Sequence, residues 1–409
     1  MASPVNPPRG MRDFLPADKA RRERVLSVIR DTYRSHGFDE IETPVMEDSA
    51  RLHAGLGGDN EKLAFGVLKR GLTTEDFAAA KDALDLADLG LRFDLTVPLA
   101  RFYATHRAAL PPVFRAIQIA PVWRAERPQK GRFRQFVQCD IDIIGEAGPL
   151  AEIELITATS AALSALGLEG CTIRINDRRI LFGLLNHWNV PAEQQDHALI
   201  VIDKLDKIGP EGVAAELAES GIAVEGLADA LATGGWDLLD APPAWLDVDA
   251  YRALLDLRAA VPGAELVFDP TLVRGMGYYT GTIFEVAHPS LGYSLGGGGR
   301  YDGMIGRFLG QDVPACGFSL GFERLVDLVE LGQETTDAVA LLHAADVPGS
   351  RLVALKSELV ARGHRVRLER RPKNTKATLE RLAHEGFTHF AFVDAESEAD
   401  SLELRPLAG

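Results

Sequence analysis

The stretch VWRAERPQKGRFRQFVQCDID, Val122 to Asp142, constrains the fold more than any other part of the chain. Side chains alternate between two faces along a strand, so parity sorts its residues. On an incoming strand Arg124 and Glu126 share one face, with Trp123 and Ala125 on the other. A turn-like run, Arg127-Pro128-Gln129-Lys130-Gly131-Arg132, reverses the chain. On the return, Arg134, Phe136, Gln138, Asp140 and Asp142 fall on one face, while Phe133, Val137, Cys139, Ile141 and Ile143 form an apolar face predicted to be buried. The hairpin thus presents arginines, carboxylates, an amide and a lone aromatic ring on its open side. That mixture packs poorly but suits a charged, planar ligand, because guanidinium forks grip phosphate and a ring can stack on a base. A solvated sheet face laced with surface ion pairs has the same look, so one hairpin alone does not decide between them.

A chain of 409 residues exceeds what one core usually organises, so two or three domains are expected. Its 46% apolar content is ordinary for a globular protein. No apolar run approaches the roughly 20 residues that span a membrane. The N-terminus, MASPVNPPRGMRDFLP, is Pro-rich and lacks a hydrophobic signal core, which predicts a cytoplasmic protein. Cys139, Cys171 and Cys316 stand apart with no CxxC pair, and read as reduced thiols rather than zinc ligands or disulfides; no metal site is expected. A net charge of −15 excludes a chain that coats nucleic acid indiscriminately. It leaves room for a nucleic-acid substrate, because charge acts within a Debye length of about 8 Å. Two patches oppose the acidic average: the hairpin turn (Arg124, Arg127, Lys130, Arg132, Arg134) and a C-terminal group (Arg362, Arg365, Arg367, Arg370, Arg371, Lys373, Lys376). Either is also compatible with a plain solvated face.

Periodicity predicts a helix over Asp18–His36, with Val25, Ile29 and Tyr33 on its apolar face, Asp18 as its N-cap and Gly37 closing it. FDEIETPVME reads as a strand interrupted at Thr43-Pro44, and LRFDLTVPLAR as a strand leading into a helix that Pro98 starts. A helix over about 150–166 and a strand over 171–177 follow. From about 179 to 257 the texture is helical, acidic and Ala/Leu-rich, which marks a helical insertion; sheet-like segments resume at Leu266. Glu323–Leu331 reads as a short helix. The predicted domains are therefore 1–334, carrying the insertion, and 338–409, joined by a linker at 335–337. Strand and helix alternate beyond it: Ala338–His343, Arg351–Arg362, Arg365–Glu369, Thr375–His384, Thr388–Asp394 and a last strand in LELRPL. Such alternation predicts a small α/β domain with a largely parallel sheet, and at about 70 residues it is near the lower limit for independent stability.

No glycine-loop nucleotide motif is present. The chain contains no Gly-Lys pair, and neither GMGYYTG nor GGGGRYDG fits the dinucleotide fingerprint. A bound nucleotide would have to be held by side chains on a sheet. VRGMGYYTG sets Arg274 beside glycines and then Tyr278 and Tyr279, and Gly296–Gly299 precede Arg300, Tyr301 and Asp302. Glycine removes bulk where a ligand or another backbone approaches, although bulges and tight turns use it too.

These pieces together resemble the class II aminoacyl-tRNA synthetases, and specifically the histidyl-tRNA synthetase family, over nearly the whole chain. GFDEIETPVME is similar to the family's motif 1, which builds a dimer interface; the hairpin to motif 2; GFSLGFERL to motif 3. VRGMGYYTG and GGGGRYDG resemble the two histidine-specific motifs. The resemblance implies an α+β fold: a six-stranded antiparallel catalytic sheet flanked by helices, a helical insertion, and a C-terminal anticodon-binding domain. It implies that Arg124 holds the ATP α-phosphate, Glu126 the adenine amino group, and Phe136 and Arg324 the two faces of the adenine ring. Asp94, Thr96 and Gln138 would meet the α-ammonium of histidine, and Asp142, Tyr278 and Tyr279 its imidazole. Arg274 would be the catalytic arginine, and Arg127, Gln129, Lys130 and Arg132 would face the tRNA acceptor end.

The implied reaction is ligation of histidine to tRNA(His) through histidyl-adenylate, with ATP entering alongside Mg2+ on its phosphates and the protein acting as a homodimer. A pocket built to hydrogen-bond both imidazole nitrogens leaves its own groups unpaired with other amino acids, so no editing step is needed. Two positions depart from the family pattern: many relatives carry aspartate in place of Gly277 and glutamate in place of Asp142, both beside the implied imidazole site. The terminal domain is also short and lacks an obvious final helix. The main rival is the regulatory subunit of ATP phosphoribosyltransferase, a paralogue that binds histidine only as a sensor and typically lacks both the catalytic arginine and the terminal domain. A synthetase-derived ligase that acts on something other than tRNA is the third reading, against which the two basic patches speak.

Overall fold

The computed structural model of the chain describes residues 5–54, 62–128, 131–222, 224, 235–274, 278–331 and 337–407. The chain divides into two compact units, one built from Met1–Asp13 and Arg24–Glu330, the other from Phe14–Glu23 and Leu331–Gly409.

The first helix, Pro16–Ser35, buries Val25, Ile29 and Tyr33 as its periodicity predicts. Asp18 lies inside its first turn rather than capping it, where its charge suits the positive end of the helix. Gly37, at φ +85°, turns the chain out of the helix. FDEIETPVME is two short strands and not one: β1 (Asp39–Glu40) and β2 (Met46–Asp48) belong to different sheets. The break between them is pinned by buried Arg92, whose Nη1 donates to the Thr43 carbonyl at 2.8 Å. β2 joins β3 (Phe65–Leu68) and β4 (Ala87–Leu91) in a small antiparallel sheet of order β2-β4-β3. The next helix, Thr96–His106, begins two residues before Pro98, because the Asp94 carboxylate already accepts the Val97 N–H at 3.2 Å.

The large sheet is assembled from β1, β5 (Phe114–Trp123), β6 (Gln135–Ile144), β7 (Thr172–Asp177), β8 (Leu266–Phe268), β9 (Thr282–Ala287), β10 (Gly296–Arg300) and β11 (Ala315–Gly321). Its order is β1-β5-β6-β11-β10-β9-β7-β8. The six strands from β5 to β7 are antiparallel, and β1 and β8 add a short parallel strand at either edge. The six-stranded antiparallel sheet expected from the resemblance is thus present, widened to eight. Cys139, Ile141 and Ile143 on β6 are fully buried, as alternation requires. The helix Leu150–Ala165 contributes Leu155, Ile156, Ala158 and Ala162 to the buried core.

Between β7 and β8 lie the helices Arg178–His187, Gln195–Ile202, Leu205–Glu219 and Val248–Ala260, which form the expected insertion. The third is broken where Gly209 (φ 71°, ψ 173°) precedes Pro210. After β11 the helix spans only Phe322–Leu325; the rest of the expected Glu323–Leu331 helix gives way to turns in which Leu328 N donates to the Leu325 carbonyl.

The second unit carries β12 (Ala338–His343), β13 (Arg365–Arg370), β14 (His389–Val393) and β15 (Arg405–Pro406), in the order β13-β12-β14-β15. The first three are parallel and β15 is antiparallel. Two apolar clusters fill its core, one with Leu352, Leu355 and Leu359 of the helix Gly349–Ala361, the other with Leu382 of the helix Thr375–His384. Its basic group is largely compensated: Arg362 pairs with Glu358 and Asp400, and Arg367 with Glu385. Arg365 and Arg367 also lie over the Phe387 ring, and Arg371 over Phe392.

Candidate functional site

Strand register turns the large sheet into a trough with a floor written in rows. Asp140 on β6 faces Ser319 on β11, then Gly297 on β10, Glu285 on β9 and Arg174 on β7. Two residues along, Asp142 faces Gly317, then Gly299 and Ile283. Each row has glycine at its middle, so the floor dips there. No side chain fits: a Cβ on Gly297 would lie 2.7 Å from Arg274 Cζ, and one on Gly299 would lie 2.9 Å from Tyr279 Cδ1. A Cβ on Gly317 would collide with the Asp142 carboxylate.

The trough opens into a cleft of about 530 Å³. Asp94, Thr96, Arg124, Glu126, Arg132, Phe136, Gln138, Asp142, Arg274, Tyr278, Tyr279 and Arg324, all singled out from sequence, line it. Arg127 does not line it. Gln129, Lys130 and Gly277 fall outside the described residues. Parity misplaces two details of the hairpin. The incoming strand ends at Trp123, so Arg124 and Glu126 sit beyond the ladder. Phe133 precedes the return strand, lines the cleft instead of the core, and stacks under the Arg12 guanidinium at 3.5 Å from the ring centroid.

One end of the cleft is cationic. Arg124 Nε donates to the Phe93 carbonyl at 3.0 Å, and its guanidinium lies 5.1 Å from the Phe136 ring centroid. Burial lowers its pKa from the usual arginine value, opposed by Asp94 and Glu126. Burial would lower Arg274 as well, but Glu285, which accepts from its Nη1 at 2.6 Å, together with Tyr279 and Asp203 outweighs that and the net shift is upward. Arg324 donates to the Ser294 carbonyl at 2.5 Å and lies over the Tyr293 ring. Glu126 is held by Arg132 at 3.1 Å.

The other end gathers carboxylates and phenols. Asp94, Asp140 and Asp142 are 1%, 4% and 4% exposed, respectively, so three carboxylates share one poorly hydrated space. Burial, reinforced by Asp142, raises the Asp140 pKa well above the ordinary range. Burial likewise pushes Asp142 up to about 7, against the pull of the Tyr301 hydroxyl, which donates to it at 2.6 Å. Burial also raises Tyr278, Tyr279 and Tyr301, which remain neutral hydrogen-bond donors. Gln138 donates to Ser319 Oγ at 2.9 Å, while its Oε1 is a buried acceptor with no hydrogen-bond partner among the described residues. Such a cluster calls for a ligand that brings positive charge and N–H donors. The whole cleft therefore suits a molecule pair with phosphate at one end and an ammonium at the other.

Asp140, Ser319, Tyr301, Glu285 and Arg174 carry no role in the sequence reading. Alternation along β6 holds a signal for Asp140, and GGGGRYDG has Tyr301 in plain view. Nothing local marks Glu285 and Arg174, which meet across 111 residues of chain.

The family profile described as histidyl-tRNA synthetase matches residues 10–325. A histidine–tRNA ligase of Leifsonia xyli subsp. xyli is 63% identical over 100% of this chain and 99% of its own. A probable histidine–tRNA ligase of Tropheryma whipplei is 44% identical over 98% of this chain and 99% of its own. Among solved structures, histidyl-tRNA synthetase from Nostoc sp. PCC 7120 superposes with TM-score 0.78 at 26% identity, covering 99% of this chain and 95% of that one. A protein described as an ATP phosphoribosyltransferase regulatory subunit/histidyl-tRNA synthetase, from Bacillus halodurans C, superposes with TM-score 0.77 at 22% identity over 96% and 99%, a likeness of fold alone.

Proposed function

The chain belongs to the histidyl-tRNA synthetase family, and from that premise we propose how its cleft carries out the family's reaction. The protein is a histidine–tRNA ligase with the α+β fold of class II synthetases: it activates histidine with ATP and transfers it to tRNA. The sensor reading of the paralogous regulatory subunit is not favoured, since full-length relatives at 63% and 44% identity are ligases by name.

In our reading the α-phosphate of ATP lies between Arg124 and Arg274, adenine stacks on Phe136 under Arg324, and Glu126 takes the adenine amino group. Histidine lies at the acidic end. Its ammonium is met by Asp94, Thr96 and the unpaired acceptor of Gln138, and its imidazole by Asp142, Tyr278 and Tyr279. One observation carries this arrangement: a single trough lined by the half-buried guanidiniums of Arg124, Arg274 and Arg324 at one end and by three buried carboxylates at the other. An oxygen of the histidine carboxylate bonds to the α-phosphorus as the bond to pyrophosphate breaks. Negative charge grows on the phosphate oxygens in that step, where fixed guanidiniums in a poorly hydrated site stabilise it. A ribose hydroxyl at the 3′ end of tRNA(His) then takes the histidyl group, and AMP leaves.

ATP enters as its Mg2+ complex. Among the described residues no group of three His, Cys, Asp or Glu side chains forms a metal cage, so in this reading the phosphates themselves hold most of that ion. Val45 and Met46, in the stretch resembling motif 1, are 42% and 45% exposed, which supports burial of this face in a homodimer. Arg127, Gln129, Lys130 and Arg132 face the tRNA acceptor end in this reading, because unstacked single-stranded ends are open to cationic side chains. The domains are a catalytic one over 1–334 and an anticodon-binding-like one over 338–409, both working in the cytoplasm with translation.

The test is histidine-dependent exchange of pyrophosphate into ATP. A ligase exchanges only when histidine is present; binding of histidine without exchange would favour the sensor.

A further inference from the structure

We propose that Glu285, Arg174 and Asp269 form a positioning relay for Arg274, so that the rate of adenylate formation depends on three residues outside the assigned substrate contacts. The proposal rests on the reading of Arg274 as the guanidinium that faces the α-phosphate.

The relay follows from strand register. Arg174 on β7 stands directly opposite Glu285 on β9, and Glu285 opposite the bare Gly297 on β10, across which Arg274 lies. Both carboxylate oxygens of Glu285 are engaged: Oε2 accepts from Arg274 Nη1 at 2.6 Å, and Oε1 from Arg174 Nη1 at 3.2 Å. Arg174 is clamped from behind by Asp269 Oδ2, which accepts from its Nε at 2.8 Å and its Nη2 at 2.5 Å. Charges alternate along the chain of contacts, Asp269, Arg174, Glu285, Arg274, so each member neutralises its neighbours.

Asp269 does a second job. Its Oδ1 accepts from Thr271 N at 2.9 Å and Thr271 Oγ1 at 2.7 Å, and its carbonyl accepts from Leu272 N at 3.1 Å. Leu272 is tied in turn to Asn176 Nδ2 through its own carbonyl at 3.2 Å. One aspartate thus fixes both the backbone that leads into Arg274 and, through two side chains, the guanidinium at its tip. A guanidinium has five N–H donors, and Glu285 takes one at Nη1, which leaves donors for a phosphate. Long arginine side chains have much rotamer freedom to lose, and a misplacement of about 1 Å in a reacting geometry costs on the order of 10² in rate.

Glu285→Gln preserves shape while removing charge. It should slow single-turnover formation of histidyl-adenylate about 10- to 100-fold, with histidine Kd and ATP KM changed less than about threefold. The discriminating measurement is the double-mutant cycle with Arg274→Ala. A residue that acts through Arg274 adds little once Arg274 is gone, so the double variant should match Arg274→Ala within about twofold. Arg174→Lys, which keeps charge but loses the fork, supplies the same cycle if Glu285→Gln fails to fold. Should Arg274→Ala be slow and the second change multiply its defect undiminished, the relay is wrong and the role of Arg274 stands. Full speed in Arg274→Ala would remove the role of Arg274 and the relay with it.

Discussion

Replacing Gly297 by alanine should slow adenylate formation by at least about 10² while leaving the histidine end of the cleft occupied. The added methyl would sit 2.7 Å from Arg274 Cζ and 2.9 Å from its Nη1. Carbon atoms in unstrained contact stay about 3.5–4.0 Å apart, so the guanidinium has to retreat by roughly 1 Å. Its bond to Glu285, 2.6 Å long, opposes that retreat. Losing one such electrostatic contact costs about 10²–10³ in rate, equivalent to about 2.7–4 kcal/mol of transition-state stabilisation. The methyl would also come within 2.6 Å of the Phe284 carbonyl on β9, so the ladder must shift, with an overpacking cost of about 1–3 kcal/mol in stability.

Three measurements separate these effects: histidine-dependent pyrophosphate exchange, histidine affinity by calorimetry, and thermal unfolding. Exchange should fall by at least about 10², histidine affinity should hold within a few-fold, and melting should drop by a few degrees. Gly303→Ala is the matched control. Gly303 sits in the helix Asp302–Leu309, and a methyl added to it would meet nothing within 4 Å. That variant should gain up to about 1 kcal/mol and keep full exchange. Undiminished exchange in Gly297→Ala would refute the claim that the bare floor exists to seat Arg274. Equal loss of histidine affinity would show instead that the whole trough had collapsed.

Gly317→Ala is the mirror case: its methyl collides with the Asp142 carboxylate, so histidine KM should rise more than about tenfold, and an unchanged KM would remove Asp142 from the histidine site. Because burial pushes Asp142 up to about 7 and its ionised form accepts an imidazole N–H more strongly than the neutral acid does, histidine should bind up to about tenfold more weakly at pH 6 than above pH 8 on this account; Asp142→Asn should flatten that component, leaving only the titration of the ligand's own imidazole. The same proton has a stability signature of opposite sense: the folded chain holds it up to about 7 and the unfolded chain releases it near 3.8, so the ligand-free protein should lose stability as pH rises through that window, less steeply in Asp142→Asn. In the second unit, Arg370→Glu with Lys373→Glu should raise the KM for tRNA several-fold and leave pyrophosphate exchange intact; unchanged charging at physiological salt would mean that this face takes no part in tRNA binding.

How much of this is legible in the chain depends on distance along it. Alternation over β6 needs only neighbours, so the polar face from Phe136 to Asp142 can be read directly. Where the backbone leaves the strand, at Arg124 and Phe133, parity loses its meaning, and Phe133 turns into the cleft. The helix Thr96–His106 starts early for a similar reason: the Asp94 carboxylate, not Pro98, opens it, because a side chain can satisfy an early N–H before proline removes one. The glycines of β10 are visible as a cluster, but their use is not, since glycine carries no periodic signal. Only pairing with β9 and β11 shows that Gly297 underlies Arg274 and Gly299 underlies Tyr279. The same holds for Arg174 and Glu285, which are ordinary on their own strands and become partners through register. A one-residue slip of β7 against β9 would turn Arg174 to the opposite face and break the row, so the relay is also a test of register. Position-dependent loss of rate in Arg174 and Glu285 variants, traced through Arg274, would report the pairing of two strands whose partners lie 111 residues apart in sequence.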